Sequence, residues 1–221
     1  MKIIGHRGAA GLALENTRAS MLAAIEAGVD ALEFDVRITK DQQLVINHDK
    51  SLKRTYGHDL IISEHTLATL RKAAPQLLTL SELINVSGTT PLVIELKEIT
   101  PAKLLLPELH KLKKSQYSLV SFKLAALKAV RDEFPGVHMS LLSFAWPCLR
   151  EHQAHKARLQ GIGVYSLFLN PLVYCQAKRH GLEVYTYTVN QVWKARLIKK
   201  LYPRVNACSD RPDLLQSLRS K

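Results

Sequence analysis

The stretch Asp30-Ala31-Leu32-Glu33-Phe34-Asp35-Val36 reads as a buried strand that carries two acids. Side chains alternate along a strand, so Leu32, Phe34 and Val36 share one side while Glu33 and Asp35 share the other. Two carboxylates side by side in an apolar setting repel each other and are costly to desolvate unless a cation joins them. A hard divalent ion, Mg²⁺ or Ca²⁺, would relieve that repulsion through oxygen ligation. Pairing with Arg7, Arg37 or Lys97 is the structural alternative.

Three other apolar runs end in charged or titratable groups in the same way. Ile3-Ile4-Gly5 leads into His6-Arg7-Gly8, Leu44-Val45-Ile46-Asn47 into His48-Asp49, and Leu92-Val93-Ile94 into Glu95-Leu96-Lys97. Glu95 could complete a three-carboxylate set with Glu33 and Asp35. His6 and His48, with ordinary pKa values near ~6.5, could divide the acid and base roles of a proton transfer. Arg7 offers a planar fork to phosphate oxygens, and Lys97 offers a point charge.

Apolar runs alternate with helix-period segments along the whole chain. Strands are expected at Ile3–Gly5, Ala31–Val36, Leu92–Leu96, Ser118–Ser121, Val137–Ser143, Gly163–Leu167, Glu183–Tyr187 and Ala207–Cys208. Helices are expected at Glu15–Ala27, Pro101–Lys113, Lys123–Glu133, Pro171–His180, Val192–Leu201 and Pro212–Arg219. This alternation predicts an α/β protein with a compact (β/α)8 barrel, an open doubly wound sheet being the alternative. The polar segment after His48, about residues 49–78, falls outside the alternation and reads as a short insertion after the second strand, over the barrel's functional face.

With 221 residues, 47% of them hydrophobic and no Pro-, Ser- or Gly-rich linker, one domain spanning 1–221 is expected. No apolar run approaches the ~20 residues of a membrane-spanning helix. Met1-Lys2-Ile3-Ile4-Gly5-His6 is too short and polar for a secretory signal. Cys148, Cys175 and Cys208 are odd in number and lack metal-finger spacing, so no disulfide framework is expected. A cytoplasmic protein with reduced thiols is the expectation. The 31 lysines and arginines exceed the 19 aspartates and glutamates, a net charge of +12 that concentrates anions near the surface. The cations are spread along helices, so solvated helix faces are favoured over a nucleic-acid tract.

The ordered set His6-Arg7-Gly8, Glu15-Asn16-Thr17, Glu33-Phe34-Asp35-Val36, His48-Asp49 and Glu95-Leu96-Lys97 resembles the glycerophosphodiester phosphodiesterase family. The resemblance continues through Ser121-Phe122, Tyr187-Thr188-Val189-Asn190 and Ser209-Asp210-Arg211-Pro212. It implies a (β/α)8 barrel in which Glu33, Asp35 and Glu95 bind one divalent cation. It further implies His6 and His48 as the acid/base pair and Arg7 and Lys97 as phosphate contacts, with Glu15, Phe122 and Tyr187 as candidate pocket residues. The implied substrate is a glycerophosphodiester, cleaved to glycerol 3-phosphate and an alcohol through a cyclic phosphate formed by the substrate's own neighbouring hydroxyl.

Leu14, Tyr187 and Cys208-Ser209 depart from the residues usual in the family, and none belongs to the implied metal or proton-transfer groups. Two other readings differ in substrate or class. One is a lysophospholipase D-like hydrolase whose positive surface makes peripheral contact with an anionic membrane. The other is a non-catalytic phosphate- or nucleic-acid-binding module, which the intact histidine and carboxylate set argues against.

Overall fold

The computed structural model describes residues 1–219, so the last two positions of the 1–221 span lie outside the described residues. In chain order the elements are β1 (Ile3–Gly5), α1 (Arg18–Glu26), β2 (Ala31–Ile38), β3 (Leu44–Ile46), α2 (Lys53–Tyr56), α3 (Leu67–Ala73), α4 (Leu80–Ser87), β4 (Leu92–Leu96) and α5 (Ala102–Leu109). They continue with β5 (Tyr117–Ser121), α6 (Leu124–Val130), β6 (His138–Ser143), α7 (Pro147–Lys156), β7 (Gly161–Tyr165), α8 (Pro171–Arg179), β8 (Glu183–Tyr187), α9 (Val192–Leu201) and β9 (Asn206–Ser209). All the strands but β3 are parallel, in the order β1-β2-β4-β5-β6-β7-β8-β9, and β9 returns to β1. The fold is therefore the closed (β/α)8 barrel and not the open sheet. No helix among the described residues is long and apolar enough to cross a membrane.

Strand alternation sorts the apolar residues into two layers. Ile4, Ala31, Val93, Val120, Leu142 and Cys208 fill the barrel interior. Leu32, Phe34, Val36, Ile94 and Leu96 face outward onto the helices, in the larger cluster that holds most of the core. The acids Glu33, Asp35 and Glu95 continue the inward-facing series of β2 and β4 toward the strands' C-terminal ends, where such barrels place their chemistry.

β3 pairs antiparallel with β2 and opens the insertion. The polar segment that follows contains α2 and α3 and packs a small core, including Leu52, Ile62, Leu70 and Leu77, against Val45 of β3. Its polarity reflects how little of it needs to be buried.

Among the boundaries that move, two have clear local reasons. The first helix starts at Arg18 and not Glu15, because Thr17 and Ser20 form reciprocal capping hydrogen bonds. That leaves Glu15 and Asn16 free to turn toward the barrel mouth. β7 begins two residues before the expected Gly163, at Gly161, since both glycines lie within the strand. A Cβ on Gly161 would lie 2.5 Å from Ser140 Oγ, and one on Gly163 2.5 Å from Leu142 Cδ2. Here glycine is a packing requirement of the crowded interior, not a turn signal.

Candidate active site

β1 ends in a sharp reversal, with Arg7 at φ 50° and Gly8 at φ 80°. A Cβ on Gly8 would lie 2.5 Å from the Ser20 carbonyl carbon, so only glycine fits this left-handed position. The turn lets the Arg7 amide donate to Glu33 Oε2 at 2.9 Å and the Gly8 amide to the Glu33 carbonyl at 3.1 Å. The β1 turn and the first acid of β2 are thereby fixed to each other.

Glu33, Asp35 and Glu95 offer carboxylate oxygens that lie within 4.8 Å of one another, and all three residues are buried. Asp35 and Glu95 are direct partners in the parallel register of β2 and β4. Burial raises Glu33 to about 7 and Glu95 to about 8, with the Asp35 charge adding to both. Asp35 is also buried, but Lys97, Arg7 and a hydrogen bond from Asn16 outweigh that and lower it to about 2. Asp35 Oδ1 has no hydrogen-bond partner, although Lys97 Nζ is 3.4 Å away. A dense oxygen cluster in which one buried oxygen accepts no hydrogen bond among the described residues fits a hard divalent cation.

The cations are distributed unevenly around these acids. Lys97 Nζ is 2.7 Å from Glu95 Oε1, and the ion-pair alternative applies to Lys97 and, through Asp35, to Arg7. Arg7 Nε sits 3.5 Å from Asp35 Oδ2, with no hydrogen-bond partner, and Nη1 donates to Glu15 at 3.0 Å. Arg37 pairs with none of the three acids. Its guanidinium donates twice to the His48 carbonyl, at 3.0 and 2.6 Å, and holds that backbone in place.

The two histidines are held in the same manner. His6 Nδ1 is 2.6 Å from Asp210 Oδ1, and Asn190 Nδ2 donates to the other Asp210 oxygen at 2.7 Å. His48 Nδ1 is 2.6 Å from Asp49 Oδ1, and Arg54 donates to Asp49 Oδ2 at 2.6 Å. In each case an aspartate occupies one ring nitrogen and fixes the ring, leaving Nε2 for chemistry. Burial lowers the pKa of His6, but the Asp210 hydrogen bond and the Glu33 charge outweigh it and raise His6 above its ordinary value. For His48 burial prevails over the attraction of Asp35, and its pKa is lowered.

His6, Arg7, Glu33, His48 and Glu95 line one cavity of about 260 Å³, with Phe122, Tyr165 and Tyr187 among its aromatic walls. That volume lies just below the ~300–1,000 Å³ of drug-sized sites and suits a small polar ligand. Phe122 and Tyr187 meet edge to face at 6.0 Å, and the Tyr187 hydroxyl donates to the Ser143 carbonyl. Glu15 sits outside the lining, between Arg7 and Arg54. A larger cavity of about 520 Å³ at the opposite barrel end, lined by Lys2, His138 and Glu183 among others, gathers no comparable cluster among the described residues.

Sequence reasoning gave no role to Asp210, Asn190, Asn16 or Asp49. Asp210 follows the last strand within Ser209-Asp210-Arg211-Pro212, and an acid at a strand end was the available signal. Its partner His6 is 204 residues away, a proximity that only barrel closure creates.

Residues 6–102 match the model of the Glycerophosphoryl diester phosphodiesterase family. A putative glycerophosphodiester phosphodiesterase of Bacillus subtilis is 26% identical over 211 residues, covering 86% of each chain. A human lysophospholipase D is 51% identical over 63 residues, only 20% of its length. The solved Thermotoga maritima glycerophosphodiester phosphodiesterase is 27% identical, with a TM-score of 0.86 over 99% of this chain and 98% of that one. An Oleispira antarctica phosphodiesterase, solved with the product sn-glycerol-3-phosphate, is also 27% identical, with a TM-score of 0.87 over 98% and 96%.

Proposed function

From a chain that resembles the glycerophosphodiester phosphodiesterases in sequence and in fold, we propose a phosphodiesterase that hydrolyses glycerophosphodiesters to glycerol 3-phosphate and an alcohol. One observation carries the reading: two aspartate-anchored histidines open onto the same small cavity as a buried three-carboxylate cluster. The product bound by the Oleispira antarctica relative supports the substrate class.

Glu33, Asp35 and Glu95 would hold one divalent cation, Mg²⁺ or Ca²⁺. When bound, that ion supplies positive charge for the phosphoryl oxygens and offsets the repulsion among its ligands. Arg7, whose buried Nε makes no hydrogen bond among the described residues, adds a directional donor for the same oxygens. Lys97 keeps Asp35 and Glu95 in place and lends a second positive charge.

The opposite pKa displacements support a division of the proton roles in which His48 is the base and His6 the acid. His48, held neutral, accepts the proton of the glycerol hydroxyl next to the phosphate as that oxygen attacks phosphorus. His6, held protonated, gives its proton to the departing alcohol oxygen as the P–O bond breaks. A cyclic phosphate remains, and water opens it with the two roles reversed, restoring both rings. No protein nucleophile is needed.

The test is purified protein with glycerophosphocholine, glycerophosphoethanolamine and glycerophosphoglycerol, with added Mg²⁺ or Ca²⁺ and with chelator. Release of glycerol 3-phosphate that stops with chelator supports the reading, and equal turnover after complete metal removal rejects the carboxylate role.

Asp210→Asn separates positioning from chemistry. Losing the carboxylate removes an influence that raises His6, so His6 sheds its proton at lower pH. The basic limb of the kcat/KM profile should then move to lower pH, with the acidic limb, set by His48, unmoved. An unshifted basic limb would show that Asp210 does not tune His6.

A further inference from the structure

The β6, β7 and β8 side of the barrel mouth exposes an unusual amount of apolar surface. After β6, Phe144 and Trp146 are 60% and 80% exposed, and Leu149 follows in α7. After β7 come Leu167, Phe168 and Leu172, and Trp193 is 65% exposed in the first turn of α9. Both tryptophans of the chain thus stand in the open, on or beside three consecutive βα loops. Phe144 stacks on Tyr165 at 4.8 Å and meets Phe168 edge-on at 6.4 Å, which joins the first two loops into one surface. Phe144 and Tyr165 also line the catalytic cavity, so the patch begins at its mouth. Trp146 adopts φ 55°, a backbone region that bulky residues rarely use, with its indole left outside the fold.

Arg150 and Lys194 add positive charge to this rim, and neither of the two acids between residues 144 and 204 offsets it. Those acids are Glu151 and Glu183, while the other cations of this span, among them Lys156, Lys178, Lys199 and Arg204, lie at or after helix C-termini toward the far end of the barrel. Glu151 is buried and paired with His180, and Glu183 starts β8 at the far end of the barrel. Near the mouth, Lys194 bonds to Ser166 Oγ and Arg150 to the Phe122 carbonyl, and neither has an acidic partner among the described residues.

We infer that this rim docks on an anionic lipid bilayer. Tryptophan and phenylalanine fit the boundary between headgroups and acyl chains, and unpaired cations are attracted to anionic headgroups. A second copy of the chain would bring like charge against like charge. A nucleic acid has no use for the aliphatic surface of Leu149, Leu167 and Leu172. Docked this way, the cavity mouth faces the lipid. The inference is independent of the proposed activity, since binding is read without substrate or metal.

Because Trp146 and Trp193 are the chain's two tryptophans, intrinsic emission reports on the patch directly. Vesicles of phosphatidylcholine with phosphatidylglycerol should shift the emission to the blue and carry the protein down on sedimentation. Vesicles of phosphatidylcholine alone, or anionic vesicles at high salt, should do so far less. Trp146→Ala should weaken partitioning by about tenfold, given the apolar area removed, while the melting temperature stays unchanged and Trp193 remains as reporter. Three results would overturn the proposal. They are no shift or sedimentation with anionic vesicles, a lipid-independent shift that grows with protein concentration, and tighter binding to a single-stranded oligonucleotide than to the vesicles.

Discussion

Replacing His6 or His48 with alanine should lower turnover of a glycerophosphodiester by about 10²–10⁴-fold, the usual worth of a positioned proton carrier. The fold should survive either change. Asp210 keeps its bond from Asn190 when His6 is removed, and Asp49 keeps its bond from Arg54 when His48 is removed, so neither variant strands a charge. Initial rates with metal present, set beside thermal unfolding, read the two effects separately. The double variant should be little worse than the weaker single one, because transfer to the leaving group and transfer from the nucleophile are halves of one event. Added imidazole should return part of the lost rate to the single variants. If both single variants kept full turnover, the acid/base assignment would fail.

The residues that make this prediction possible were visible in the sequence because they violate the pattern around them. His6, Glu33, Asp35, His48 and Glu95 stand within or just after apolar runs, where an isolated charge is expensive. Strand alternation then put Glu33 and Asp35 on one side, as the barrel interior requires. What joins the site together was hidden for a different reason. The bond from His6 to Asp210 spans nearly the whole chain, and the network from Arg7 through Glu15 to Arg54 and Asp49 crosses from the first loop into the insertion. Such pairings carry no periodic signature and depend on which loops the closed barrel brings together. The β7 boundary was obscured similarly: Gly161 and Gly163 look like punctuation, and only their neighbours Ser140, Leu142 and Tyr185 explain them.

The carboxylate cluster is a place where activity and stability should move in opposite directions. Glu33 accepts a hydrogen bond from the Arg7 amide and makes no ion pair among the described residues. Its pKa is raised to about 7, by burial first and then by the Asp35 charge, so its ionised form is a strain on the metal-free protein. An acid whose folded pKa lies above its unfolded value costs stability as pH rises through that interval. In Glu33→Gln the amide oxygen can still accept from Arg7 while the repulsion is gone. The metal-free variant should therefore unfold at a higher temperature than the parent above neutral pH, and the gain should shrink toward pH 5. With divalent cation the order should reverse. The parent gains melting temperature on adding Mg²⁺ or Ca²⁺, by mass action on the folded state, whereas the variant gains little. Its turnover should fall by about 10²–10³-fold as a ligand and its charge are lost. If Glu33 merely held the β1 turn through its hydrogen bond, Gln would preserve that role, leaving both turnover and the metal-induced gain in melting temperature near parental values. Calorimetric scans with chelator and with saturating metal, across that pH range, distinguish the two.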